Sequence, residues 1–179
     1  FDYYGKSTVP VINDPIKDDP KILKITPIKQ SSEKNDYKLK SEPEDDPYII
    51  SKVAKIKLEN ANNLHKNTNR LLRQYLAFNQ LTVMESKLID TYSVLSSGPA
   101  IFEVKSITEE NEREQIRHAI SQLYEYRFLH SIPNASLWIV FSTKPYSQWY
   151  IDYLLNDREI KVLWVDGEIL AGPSLGLIK

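Results

Sequence analysis

In the segment LIDTYSVLSSGPAIFEVK, Asp90 stands thirteen residues before Glu103 and fifteen before Lys105. Residues two apart in an extended strand face the same side, so Glu103 and Lys105 project together while Phe102 and Val104 turn into the opposite layer. A hairpin at Ser96-Ser97-Gly98-Pro99 brings Asp90 beside Glu103. Two carboxylates and one ammonium on one sheet face are costly to hold together unless something uses them. A divalent cation is the natural use. Magnesium takes oxygen ligands and keeps several waters. Asp90, Glu103 and one backbone carbonyl, that of Val104, are therefore the candidate metal ligands, with positions left for water and a phosphate oxygen. Manganese is expected to substitute for magnesium. Lys105 is the candidate for orienting or helping to deprotonate an attacking water and for balancing charge on a phosphorane. The alternative is a cross-strand charge cluster on a solvated sheet face.

These residues need a sheet and helices to place them. Residues 109–130 have an acidic first turn, apolar residues at 116, 120, 123 and 124, and no Gly or Pro, which predicts a helix ended by Pro133 and Asn134. Gln122 and Tyr126 are one turn apart on it, share a face and can reach the same site. Read by themselves they are a surface Gln and a core Tyr. Residues 52–79 carry an approximate helical stripe, weakest around Asn60–Asn63, which predicts one long helix or two with a break. Strands are predicted at 81–85, 87–95, 100–105 and 136–142. A short helix is predicted at 146–155, and strands at 159–165 and 168–170 joined at Asp166-Gly167. Helix, three strands, helix, strand, helix, strand implies an α/β sandwich around a mixed sheet.

Asp90 and the tripeptide Glu103-Val104-Lys105, with the element order around them, resemble the PD-(D/E)XK nuclease superfamily, the restriction-endonuclease-like fold. Gln122-Leu123-Tyr124-Glu125-Tyr126 adds the Q-x-x-x-Y signature of several of its branches. The resemblance covers roughly residues 52–165. Asp90 follows Ile89, where the family often has Pro. The resemblance implies an αβββαβ core and a magnesium-dependent DNA endonuclease, with water attacking in line and leaving a 5′-phosphate. Asp90 and Glu103 would be ligands, Lys105 and Gln122 would orient or activate the water, and Tyr126 would support the site. On the first helix, Glu59 and His65 are candidates for the extra acidic or histidine group that the family often places near the metal. A restriction or anti-phage defence role follows by analogy only.

The rest of the chain sets bounds. Its 179 residues carry a net charge of −1, unlike a strongly basic nucleic-acid wrapper, so DNA contact must come from a local patch. Specificity is then expected from the N-terminal region, a homo-oligomer, or an additional recognition domain or subunit. Cysteine is absent, which excludes thiolate metal sites and a cysteine nucleophile and fits an intracellular, cytoplasmic protein. No apolar run approaches the roughly 18–20 residues that span a bilayer, so no membrane is expected as a partner. Residues 1–49 hold six of the ten prolines and form an extension or linker with extended or edge-strand character; residues 50–179 form the catalytic domain. Gly5-Lys6-Ser7-Thr8 resembles the tail of a phosphate-binding loop, but Pro10 opposes the helix such a loop needs.

Arginines at 113 and 117, and basic residues at 66, 70 and 73, form helical stripes that are either phosphate contacts or solvated faces. Trp138, Trp149 and Trp164 are expected in the core, as are Tyr146 and Tyr150; the alternative for Tyr146, Trp149 and Tyr150 is stacking on bases. Two rival functions remain: a nuclease of repair, recombination or transposition, and a non-catalytic binding or assembly module that keeps the fold.

Overall fold

The computed structural model describes residues 26–27 and 52–179. The described residues form an α/β fold in which one mixed sheet is flanked by helices. In chain order the elements are β1 (Thr26–Pro27), α1 (Lys52–Phe78), β2 (Met84–Glu85), β3 (Thr91–Leu95), β4 (Gly98–Lys105), α2 (Glu112–Leu129), β5 (Ser136–Phe141), α3 (Gln148–Asp152), β6 (Lys161–Asp166) and β7 (Ile169–Ala171). A π-helical turn, Tyr153–Asp157, continues α3. The strands lie side by side in the order in which they occur. Six of them, β2 to β7, come from the continuous stretch, and the two-residue β1 adds to the β2 edge. Strands β4, β5 and β6 are parallel, and every other pairing is antiparallel.

Alternation along the central strands divides the core in two. Ile101, Ile139, Phe141 and Val162 face Ile116, Leu123 and Tyr126 of α2 and Leu154 beyond α3. Phe102, Val104, Trp138, Val140 and Leu163 face Leu72 and Leu76 of α1. The strand SLWIVF is apolar on both faces because both are covered, as a central parallel strand requires. Burying Trp138 and Phe102, whose rings meet at 5.2 Å, contributes several kcal/mol on the scale of roughly 2–3 kcal/mol for each large side chain.

The long helix is unbroken through Asn60–Asn63, where Ser106 Oγ donates to the Ala61 carbonyl at 2.9 Å. The predicted strand at 81–85 shortens to Met84–Glu85, and that at 87–95 to Thr91–Leu95. Of the expected N-terminal extension only Thr26–Pro27 is described, as an edge strand; the other residues of 1–49 lie outside the described part. Among the described residues no helix is long and apolar enough to cross a membrane.

Candidate active site

The β3–β4 hairpin turns at Ser96–Ser97, and Gly98 follows at φ +115°, a conformation glycine adopts without strain. Its register pairs Thr91 with Phe102. Asp90, the next residue out, is thereby level with Glu103 at the mouth of the sheet, just before β3 rather than within it. Its Oδ2 accepts from the Val104 amide at 2.9 Å and lies 3.2 Å from His65 Nε2 of α1.

Two devices fix the backbone that carries Asp90. Arg73 of α1 donates to the Asp90 carbonyl, to Thr91 Oγ1 at 3.0 Å and to Glu85 Oε2 at 2.8 Å. Ser86 Oγ accepts from the amides of Leu88 and Ile89 at 3.1 and 3.0 Å, and lies 2.8 Å from His130 Nε2. The other ring nitrogen of His130 is 2.9 Å from the Tyr126 carbonyl. A carbonyl only accepts, so Nδ1 bears the proton and Nε2 accepts from the Ser86 hydroxyl. His130 thus ties the end of α2 to the loop that presents Asp90.

Glu103 and Lys105 point together toward α2, as strand alternation requires, while Val104 is buried in the α1-side core. Glu103 is 3% exposed. Its Oε1 accepts from Lys105 Nζ at 2.8 Å, and Lys105 also donates to Gln122 Oε1 at 2.6 Å. Gln122 Nε2 donates to Tyr126 Oη at 2.9 Å. The ammonium can only donate, so the Gln122 amide has one satisfactory orientation, and its neighbours on both sides fix it. Glu103 Oε2 is buried and has no hydrogen-bond partner among the described residues.

Burial and the neighbouring carboxylates shift three groups at this point. Burial, followed by the charge of Asp90, pushes the Glu103 carboxyl up to about 7 despite Lys105. Burial and the charges of Glu103 and Asp90 also raise the Tyr126 phenol well above its ordinary range. Burial by itself would lower His65, but its hydrogen bond and attraction to Asp90 outweigh this and raise it. Three groups of different chemistry thus hold protons more tightly because two carboxylates share a poorly hydrated space.

Such a place suits a hard cation. Among the described residues no three His, Asp or Glu side chains converge as a metal-holding group. Magnesium does not need them, since it binds through one or two carboxylates and otherwise keeps waters and substrate oxygens. The orphaned Glu103 Oε2, the neighbouring Asp90 and the Val104 carbonyl are donors of the right type.

The sequence candidates Asp90, Glu103, Val104, Lys105, Gln122 and Tyr126 are all brought together here, and His65 joins them. Glu59 is exposed on α1. Of the basic stripe at 66, 70 and 73, Arg73 is committed to holding Asp90, and Arg70 bonds Asn67 and Gln74 on its own helix. Trp149, expected in the core, is 57% exposed, and Tyr146 is exposed as well, whereas Trp138 and Tyr150 are buried. Ser86 and His130 were not singled out from the sequence, and Arg73 was read only as part of a basic helical stripe: the contacts of Arg73 with Glu85 and Asp90, and of His130 with Ser86, join residues at least twelve positions apart, which no local pattern reveals.

Comparison of the chain with protein-family models, curated proteins and solved structures found no match in any of the three. The functional reading therefore rests on the geometry of these side chains.

Proposed function

We propose that the chain is a metal-dependent nuclease of the restriction-endonuclease-like type that hydrolyses phosphodiester bonds in DNA. The observation that carries this reading is the Asp90–Glu103–Lys105 cluster: two carboxylates level with each other across a hairpin, one buried with an orphaned oxygen, and an ammonium held against them by Gln122. The order α1, three strands, α2, β5, with β5 parallel to β4, agrees with it.

When bound, magnesium would polarise the scissile phosphate and make a neighbouring water more acidic. Asp90, Glu103 and the Val104 carbonyl would hold it. Lys105 spends two of its three N–H bonds on Glu103 and Gln122, which aims the third at the attacking water or a phosphate oxygen. Gln122 keeps Lys105 in that pose, and Tyr126 keeps Gln122. Water adds to phosphorus in line with the leaving 3′ oxygen, and the product carries a 5′-phosphate. A cross-strand ion pair kept for structure alone is the weaker reading, because it would not leave a buried carboxylate oxygen unsatisfied. A restriction or defence role, cytoplasmic location and a homo-oligomer or added recognition subunit fit this chemistry by analogy.

The test is cleavage of closed-circular and linear DNA with magnesium or manganese, against EDTA and Glu103→Ala controls. Metal-dependent cutting lost in the variant supports the reading, and cutting of closed circles makes the enzyme an endonuclease. A folded chain that neither binds magnesium nor cuts would instead be a non-catalytic module.

A further inference from the structure

On the flank of α2 away from the cluster lies a groove of about 470 Å³ between α2 and α3, lined by Arg113, Ile116, Arg117, Ile120, Trp149 and Tyr153. Arg113 precedes Gln122 by nine positions, which at about 100° per residue puts it on roughly the opposite side of the helix. The groove and the cluster are thus separated by about one helix diameter, on the order of 10 Å.

Three features set the groove apart from an ordinary surface furrow. Arg113 and Arg117 are exposed, one turn apart on its wall, and form no ion pair among the described residues. Trp149 offers an exposed indole that is stacked at 3.7 Å on the buried Tyr150, so the ring is a backed, rigid platform. The segment that carries it is anchored: buried Glu112 of α2 accepts from the amides of Tyr146 and Ser147 at 2.6 and 3.3 Å. The nearby carboxylates Glu114 and Asp152 do not line the groove.

Aromatic platforms beside cationic walls suit a flat, uncharged ring linked to an anion. Such a ligand is an unpaired nucleotide, since any base has a face to stack and its phosphates need cations. An acidic peptide would use the arginines but leave the indole idle. We propose that this groove binds an unpaired nucleotide of a single-stranded nucleic acid, its base on Trp149 and its phosphates on Arg113 and Arg117. Binding here needs neither metal nor cleavage, so it stands or falls separately from the nuclease reading.

The experiment is fluorescence anisotropy of labelled oligothymidylate and oligouridylate of about ten nucleotides, titrated with the full chain in EDTA. Trp149→Ala is expected to weaken binding about tenfold, whereas Trp149→Phe, which keeps a stacking ring, retains most of it. The double variant Arg113→Gln/Arg117→Gln should flatten the log–log salt dependence by about 1.4, at roughly 0.7 for each phosphate left without its arginine. All three positions are exposed or line the groove, and circular dichroism verifies that the variants fold. Running both oligonucleotides shows which sugar is preferred, and either preference carries the proposal. It is overturned if the wild-type chain binds neither oligonucleotide, if Trp149→Ala binds as tightly as wild type, or if polyglutamate competes as well as an oligonucleotide of equal charge.

Discussion

Substituting Glu103 by Gln should make the metal-free protein more stable at alkaline pH, although it removes a buried ion-pair partner. The folded carboxyl titrates at about 7, against an ordinary value of 4.5. A raised acid holds its stabilising proton only while the pH stays low. The contribution is fully present below the ordinary value and is lost as pH rises through the folded one. The difference of about 2.5 units, at 1.36 kcal/mol each, gives a ceiling of roughly 3 kcal/mol by about pH 8. Gln keeps the shape, still accepts from Lys105 and is never charged. In EDTA at about pH 8 the variant should therefore exceed wild type by up to about 3 kcal/mol, on the order of 10 °C in Tm, and the gap should close by about pH 4. Magnesium at a thousandfold excess over Kd should reverse the order, since only the carboxylate gains RT ln(1 + [L]/Kd), about 4.1 kcal/mol at that excess. The assay is thermal unfolding by circular dichroism across this pH range, with and without the metal. A variant less stable than wild type at alkaline pH in EDTA, or a gap that ignores pH, would refute the claim that Glu103 is a desolvated, crowded carboxylate.

Asp90→Ala should weaken magnesium binding about 100-fold or more and abolish cleavage, whereas Lys105→Ala should lower the cleavage rate about 10²–10⁴-fold and spare the metal; calorimetry and plasmid nicking separate the two. Gln122→Ala should slow cleavage by only about tenfold, because it removes the support of Lys105 and not Lys105 itself; a loss equal to that of Lys105→Ala would make Gln122 a direct participant. Arg73→Met should cost roughly 2–3 kcal/mol in urea unfolding and also reduce cleavage, since the Asp90 carbonyl, Thr91 and Glu85 all lose the same donor.

The pairing of Asp90 with Glu103 was legible because a hairpin has few free parameters. Once the turn is placed at Ser96–Ser97, strand alternation decides which residues share a face. The partnership of Gln122 and Tyr126 was legible for a similar reason, since helical spacing puts them one turn apart. The strand beginning at 87 was not legible in the same way. Lys87, Leu88 and Ile89 have the composition of a strand, but the Ser86 hydroxyl takes the amides of Leu88 and Ile89 and folds the segment into a turn. That side-chain competition delays β3 until Thr91 and leaves Asp90 at its mouth. Trp149 misled because tryptophan in an apolar run is usually core. Its neighbour Tyr150 takes the buried position, and one residue along a short helix turns the indole outward.

The distribution of partners argues most strongly that the cluster serves chemistry. A buried ion pair retained for stability is worthwhile only when each lone pair and each proton finds a partner, since desolvation otherwise exceeds the attraction. Here the hydrogen-bond donors are placed to one side of each carboxylate. Lys105 takes Glu103 Oε1, while His65 and the Val104 amide share Asp90 Oδ2. Glu103 Oε2 has no hydrogen-bond partner among the described residues, and the charge of Asp90 adds to the burial that disfavours the Glu103 carboxylate. Hydrophobic residues of similar volume would stabilise the sheet mouth more cheaply. A divalent cation would make the arrangement favourable, because one ion would answer both the unsatisfied oxygen and the charge of the two carboxylates. On the proposed reading, the cost of the metal-free site and an affinity for metal would be two expressions of one electrostatic imbalance, and Glu103→Gln should remove both together.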